Sequence, residues 1–341
     1  MFKGICCLVT GLTILVFGVD PARAAADEFF NGKTVRIVVG FTAGGSFDAY
    51  ARTLARHLGN HIPGGPAFIV ENMAGAGSLI VANHLYKVAK PDGLTIGNFI
   101  GGLVMGQVLG RPGIEFDALK FEYIGVPVKD YPVCAFSKAS GISSIEKWLA
   151  AKTPVKVGAT GLGATTHDVP TILKAALGLP VRILSGYKGP TEILLAVEGG
   201  ELDGVCNSWG SLKVTSLRAI EEGNLAVVVQ AVPRIHPELS RVPLAINFAK
   251  TDEARQLIQA GIHNVTAIIY PNVLPPGTPK DRVQTLRRAF VDTLKDRQFV
   301  ADAKKSKLDL DPVTGEELEK TVAGLLKTSP ATLAQLKEVL K

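Results

Sequence analysis

Apolar residues first gather in the short run Val35-Arg36-Ile37-Val38-Val39, whose length and β-branched content predict a buried strand. The run breaks at Gly40 and Gly44-Gly45, and apolar residues then resume at helical spacing, with Ala51, Leu54, Ala55 and Leu58 on one face. The same order returns. Phe68-Ile69-Val70 predicts a second strand, Asn72 to Ser78 a turn, and Leu79, Ala82 and Leu85 a second helix face before a third strand at Leu94 to Gly97. Strands alternating with helices predict an α/β chain with a largely parallel sheet, because parallel neighbours need a crossover long enough to hold a helix. A second run of this kind starts near Val126, with strands at Val133 to Phe136, Val155 to Gly158, Val181 to Leu184, Leu202 to Cys206 and Ala226 to Val229. A helix over 144–151 follows Ser143 as N-cap and carries Glu146 in its first turns. Another spans 171–177 and ends at Gly178, a suitable C-cap. After Pro243 the chain turns helix-rich, and the prolines from Pro271 to Pro279 lead into a helix from Lys280.

The amino-terminal residues follow neither pattern. Lys3 precedes the apolar run Ile5 to Phe17, and small residues Ala22 and Ala24 follow it, the layout of a cleaved secretory leader over residues 1–24. The run is shorter than the roughly 18 residues a membrane span needs, and Cys6 and Cys7 lie at its beginning, not at its end where a lipid-anchored cysteine belongs. Beyond the leader, a chain of this length exceeds what one core serves, so two lobes are expected. Cys134 and Cys206 then remain without a C-x-x-C spacing; an exported chain permits them to pair, and the separation of their Cα atoms decides whether they do. Thirty-seven Lys and Arg against thirty-one Asp and Glu favour anions weakly. The basic residues are scattered without interleaved aromatics, which argues against nucleic acid, and Lys304-Lys305 with Lys307 reads as a solvated helix face.

Three glycine-rich turns sit between a strand and a helix. They are Gly40 to Asp48, Gly75 to Ser78, and Gly158 to His167. Converging backbone N–H groups and a helix start suit such a turn to an anion; a single one is as readily a tight connection, but three in two lobes point to a shared cleft. Asp48 complements the helix dipole and shapes its loop, leaving ligand contact to amides and water. The glycines do not fit G-x-G-x-x-G, Gly32-Lys33-Thr34 lacks the upstream glycine of a phosphate loop, and there is no G-x-S-x-G. No cofactor is expected. His57 and His61 share a helix face without a third ligand, so no metal is expected either. His167 beside Asp168 either donates to an anion or bonds within its helix start. A hydrolase would need a nucleophile beside a base, and Ser208 or Thr166 with His167 is the best assembly available, without an orienting third group.

The stretch Val38 to Arg52, Glu71-Asn72 with Gly75-Ala76-Gly77, Pro91-Asp92-Gly93, Gly158 to Thr166, Gly186 to Gly189, Gly199 to Gly204 and Leu274 to Pro279, taken in order, resembles the periplasmic binding proteins of tripartite tricarboxylate transporters, the Bug family. The resemblance implies a two-lobed periplasmic binding protein fold of type II kind, each lobe a mainly parallel sheet flanked by helices, with the ligand cleft between them. It assigns residues 25–126 and 247–341 to lobe one and 127–246 to lobe two. It further implies that Phe41, Thr42, Ala43, Gly44, Gly45 and Ser46 grip a carboxylate with Thr160, Gly161, Gly163, Thr165 and Thr166, and that Asp48 organises the first loop. Gly75, Ala76, Gly77, His167, Tyr187 and Asp203 complete the expected site. Trp209 either stacks on a ligand ring or packs at the hinge, and its polar surroundings favour the cleft. Ala74 and Thr42 stand where proline is common in the family. The expected function is capture of a small organic anion by a monomer in the periplasm and delivery to a membrane permease, without turnover; a ligand sensor would keep the fold and change the partner.

Overall fold

The computed structural model describes residues 29–340; the leader expected over residues 1–24 lies outside them. Eleven strands, β1 (Thr34–Val39), β2 (Ala67–Asn72), β3 (Thr95–Asn98), β4 (Glu122–Val126), β5 (Pro132–Ser137), β6 (Val155–Ala159), β7 (Val181–Ser185), β8 (Gly204–Ser208), β9 (Leu225–Gln230), β10 (Asn272–Leu274) and β11 (Val313–Thr314), form two sheets among the described residues. The first has the order β11-β4-β10-β3-β1-β2 and the second β7-β6-β8-β5-β9. Both are mixed. β1 runs parallel to β2 and β3, as the helical crossovers dictate, while β10 enters antiparallel between β3 and β4. In the second sheet β6 is parallel to β7 and β8, and β5 is antiparallel to β8 and β9.

Among the described residues twelve α-helices pack around the sheets: α1 (Ser46–His57), α2 (Leu79–Lys87), α3 (Gly102–Val108), α4 (Ile145–Leu149), α5 (Thr165–Leu177), α6 (Pro190–Glu198), α7 (Trp209–Glu221), α8 (Asp252–Gly261), α9 (Lys280–Lys295), α10 (Arg297–Lys305), α11 (Gly315–Leu325) and α12 (Pro330–Val339). None of the described helices is long and apolar enough to cross a membrane. Helix α4 is capped by Ser144, not Ser143, since the Ser144 hydroxyl accepts from the Lys147 amide. Helix α5 starts at Thr165, six residues before the predicted 171. Pro170 lies inside this helix, as its sixth residue.

The chain passes from β4 to β5 through residues 127–131 and returns from β9 to β10, so the first sheet draws on both ends of the chain. Not all of the tail follows it. Gly261 of α8 lies against Ile172 of α5 and Leu336 of α12; α8 and α12 thus pack on a helix of the second sheet, although residues 247–341 were all expected in lobe one. Cys134 and Cys206 face each other on β5 and β8, with Cα atoms 3.9 Å apart, and are joined by a disulfide.

Candidate functional site

Strand β1 ends at Val39, and the chain turns through Gly40 to Gly45 into α1. Asp48, in the first turn, is buried. It accepts from the Gly44 amide at 3.0 Å, from Arg52 Nε at 2.9 Å and from Asn72 Nδ2 at 3.0 Å, and Asn72 also donates to the Phe41 carbonyl at 2.9 Å. Burial pushes its carboxyl up, but the Arg52, Gly44 and Asn72 bonds outweigh it and hold the group below the ordinary range. Asp48 therefore braces the loop. The second turn, Gly75 to Ser78, holds four successive positive φ angles of 145°, 46°, 61° and 69°. Two of these fall on Ala76 and Ser78, a conformation that costs non-glycine residues about 1–3 kcal/mol each. Ser78 is anchored there by accepting the Ile100 amide at 2.9 Å.

In the second lobe β6 ends at Ala159 and the chain turns through Thr160 to Ala164 into α5. Thr166 Oγ1 accepts the Thr160 amide at 3.1 Å and lies 3.2 Å from Thr160 Oγ1. Thr165 Oγ1 donates to Asp130 at 3.0 Å. Asp168 accepts the Gly163 amide at 3.1 Å, bonds His167 Nδ1 at 2.9 Å, and takes Arg111 Nη2 on both oxygens at 3.1 and 3.0 Å. Arg111 follows α3 in the first lobe, so this buried ion pair ties the lobes together; its Nε and Nη1 are buried without a partner. His167 is thus held by its own helix start.

The two lobes close face to face, and glycines set how near they come. Gly77 lies against Gly161, a Cβ on Gly102 would meet the Gly163 carbonyl oxygen at 2.0 Å, and one on Gly189 would meet Thr42 Oγ1 at 2.3 Å. Between them lies a cavity of about 20 Å³, walled by Phe41, Phe47, Ile100 and Tyr270 from one side and Thr160, Thr165, Thr166, Asn207 and Ser208 from the other, with no ionised side chain among its lining residues. It holds about one water, so nothing larger fits between the lobes in this shut arrangement. Helices α5, α6 and α7 all start at this cavity, and α1 starts beside it. Their N-caps, Ala164, Gly189, Ser208 and Gly45, make no side-chain capping bond. Of the other described helices, α4, α8, α10, α11 and α12 are each capped by Ser, Thr or Asp, while α2, α3 and α9 are not. The positive ends of these helix dipoles therefore lie at the cleft without a capping bond from the N-cap side chain.

Some expected residues lie apart. Ala43 and Gly44 are exposed. Tyr187 turns its hydroxyl to Glu201 at 2.7 Å. Asp203 accepts the Lys156 amide at 2.6 Å, near the beginning of β6 and away from the end that carries the loop. Trp209 belongs to the second-lobe core, and its indole N–H donates to Glu238 at 2.6 Å; the polar stretch around it is this hinge-side network, not the cleft. Lys213 bonds Glu238 at 2.8 Å and Asp309 at 2.6 Å. His236, Glu238 and Asp309 are close enough to share a metal ion, but the Lys213 ammonium already supplies the positive charge. His57 and His61 bond separate carboxylates, Asp302 and Asp296, each at 3.0 Å. Thr166 Oγ1 bonds Thr160 and Ser208 Oγ accepts from Tyr270, while His167 Nδ1 bonds Asp168.

Sequence reasoning missed Asp130, Arg111, Tyr270 and Asn207. Asp130 is 2 % exposed. Burial pushes its carboxyl up to about 6 against the opposing bonds from Ser208, Thr165 and the Tyr131 amide. A lone acid between the apolar stretches Tyr123 to Val128 and Pro132 to Phe136 was the available signal.

The model of a family described as the tripartite tricarboxylate transporter family receptor matches residues 50–331. A relative from Cupriavidus necator, the UPF0065 protein in gbd 5′ region, is 28 % identical over 329 residues, covering 93 % of this chain and 91 % of its own. Two solved structures share the fold. MatC from Rhodopseudomonas palustris with bound malate is 19 % identical, with a TM-score of 0.70 and coverage of 91 % of this chain and 99 % of that one. A second R. palustris protein, solved with adipate, is 20 % identical with a TM-score of 0.72, covering 90 % and 97 %.

Proposed function

Because the chain belongs to the tripartite tricarboxylate transporter receptor family, we propose that it works outside the cytoplasmic membrane as a solute-binding protein that captures a small organic anion, a carboxylate, and hands it to a membrane permease of that transporter type. The observation that carries this reading is the set of helix starts, from both lobes, left without side-chain caps around one cavity. An anion there replaces water around backbone N–H groups whose dipoles are already fixed, so little reorganisation opposes binding. With no basic side chain lining the cavity, selectivity comes from dipoles, hydroxyls and shape. The malate and adipate of the two similar structures fit the same chemistry. Closure follows if the ligand contacts both lobes, since only a ligand that prefers the shut form shifts the balance toward it.

A thermal-shift series of the mature chain against mono-, di- and tricarboxylates, aromatic acids and neutral sugars tests this. At least one carboxylate is expected to raise the melting temperature, and to raise it further with concentration by mass action. A shift with the neutral sugars alone would count against the proposal.

A further inference from the structure

Five groups behind the cavity form a hydrogen-bonded chain that crosses from one lobe to the other. Thr165 Oγ1 donates to Asp130 at 3.0 Å, and Ser208 is bonded to the same carboxylate. Tyr270 Oη donates to Ser208 Oγ at 2.8 Å, and Ser46 Oγ lies 3.1 Å from Tyr270 Oη. A hydroxyl has one hydrogen to give, and an ionised carboxylate only accepts. Ser208 must therefore donate to Asp130. With that hydrogen committed it accepts from Tyr270, and Tyr270 in turn accepts from Ser46. Every O–H in the chain points toward Asp130. Thr165, Ser208 and Tyr270 line the cavity, so what they offer it is lone pairs.

We infer that Asp130 is a positioning residue that poles these hydroxyls, and that the ligand is consequently a carboxylate bearing its own hydrogen-bond donor, a hydroxy acid or an amino acid, in preference to a plain dicarboxylate. The inference rests on the reading of the cleft as an anion site. The helix starts receive the carboxylate, and the poled wall receives the O–H or N–H. A second carboxylate against that wall meets acceptors only, and a buried polar contact left unmade is costly.

Titration calorimetry at pH 7.5 with matched sets tests it: succinate, malate and aspartate; glutarate, 2-hydroxyglutarate and glutamate; and adipate. In one set the hydroxy or amino acid is expected to bind about tenfold or more tightly than the plain diacid; which of the two leads identifies the donor. In Asp130→Asn the side-chain amide gives a hydrogen to the chain, a hydroxyl turns to the cavity, and the ratio falls toward one. Tyr270→Phe leaves Asp130 in place but removes one acceptor from the cavity wall, and narrows the same ratio should Asp130→Asn not fold. Plain diacids binding as tightly as their substituted partners, or ratios unchanged in both variants, would overturn the inference and leave the anion site standing. If no carboxylate in the sets or in the wider thermal-shift series binds, the anion site itself fails, and the inference with it.

Discussion

Asp130 shows what one buried side chain imposes on its surroundings. Three donors turn toward it, and burial still keeps its carboxyl near 6 where an unfolded chain has about 3.8. A folded-state value above the unfolded one means that the stabilising contribution is complete below pH 3.8 and is lost as pH rises through 6. The difference amounts to about 3 kcal/mol. Urea denaturation at steps from pH 4 to pH 7.5 is expected to show the wild type losing stability across this window relative to Asp130→Asn; parallel profiles would contradict it. His263, half-buried with its Nε2 buried and unpartnered and its imidazole pushed down to about 4 by desolvation, works the other way, losing its contribution as pH falls from 6.5 through 4. Both proteins share it, so the comparison isolates Asp130.

Among the elements, α3 meets the turn before α5 at the closest contact between the lobes' glycines. Gly102, at the beginning of α3, has no room for a Cβ because the Gly163 carbonyl of the other lobe occupies the space. Alanine suits a helix better than glycine, so Gly102→Ala is expected to leave each lobe folded, wedge the cleft, and weaken carboxylate binding by ~10-fold or more through loss of the closed population. Calorimetry reads the affinity, and solution scattering should show a larger radius of gyration; unchanged affinity would show that the contact is dispensable. The strands and the turns of this region were legible in the sequence because a strand, a glycine turn and a helix each leave a periodic or compositional mark. What those marks could not show is which surfaces meet. The glycines of the turns read as sources of backbone N–H groups, and they also turn out to be where one lobe touches the other. Trp209 and Asp203 fell near the right segments but belong to the second-lobe core and to the far end of β6, since nearness along the chain does not set which way a side chain points. Strands β10 and β11 are three and two residues long, too short to leave a period, and Asp130 shows only as a lone acid between two apolar stretches.

For the whole molecule, two sheets with two crossovers make a hinge, and ties on either side of it hold the shut form. Arg111 to Asp168 links the lobes near the cavity, and Lys213 to Asp309 links them along the hinge. The Cys134–Cys206 disulfide lies inside the second sheet and keeps that lobe a unit, without restraining the motion between lobes. On the proposed function, such a molecule gains from a ligand what the lobes lose when they part, and the uncapped helix starts favour an anion. The most direct measurement of that claim is calorimetry of the wild type with malate and adipate beside their uncharged diamides. At least one diacid is expected to bind at least about tenfold more tightly than its diamide, because charge-assisted hydrogen bonds to backbone N–H groups are roughly twice as strong as neutral ones. Diamides that bind as well as the acids would contradict it.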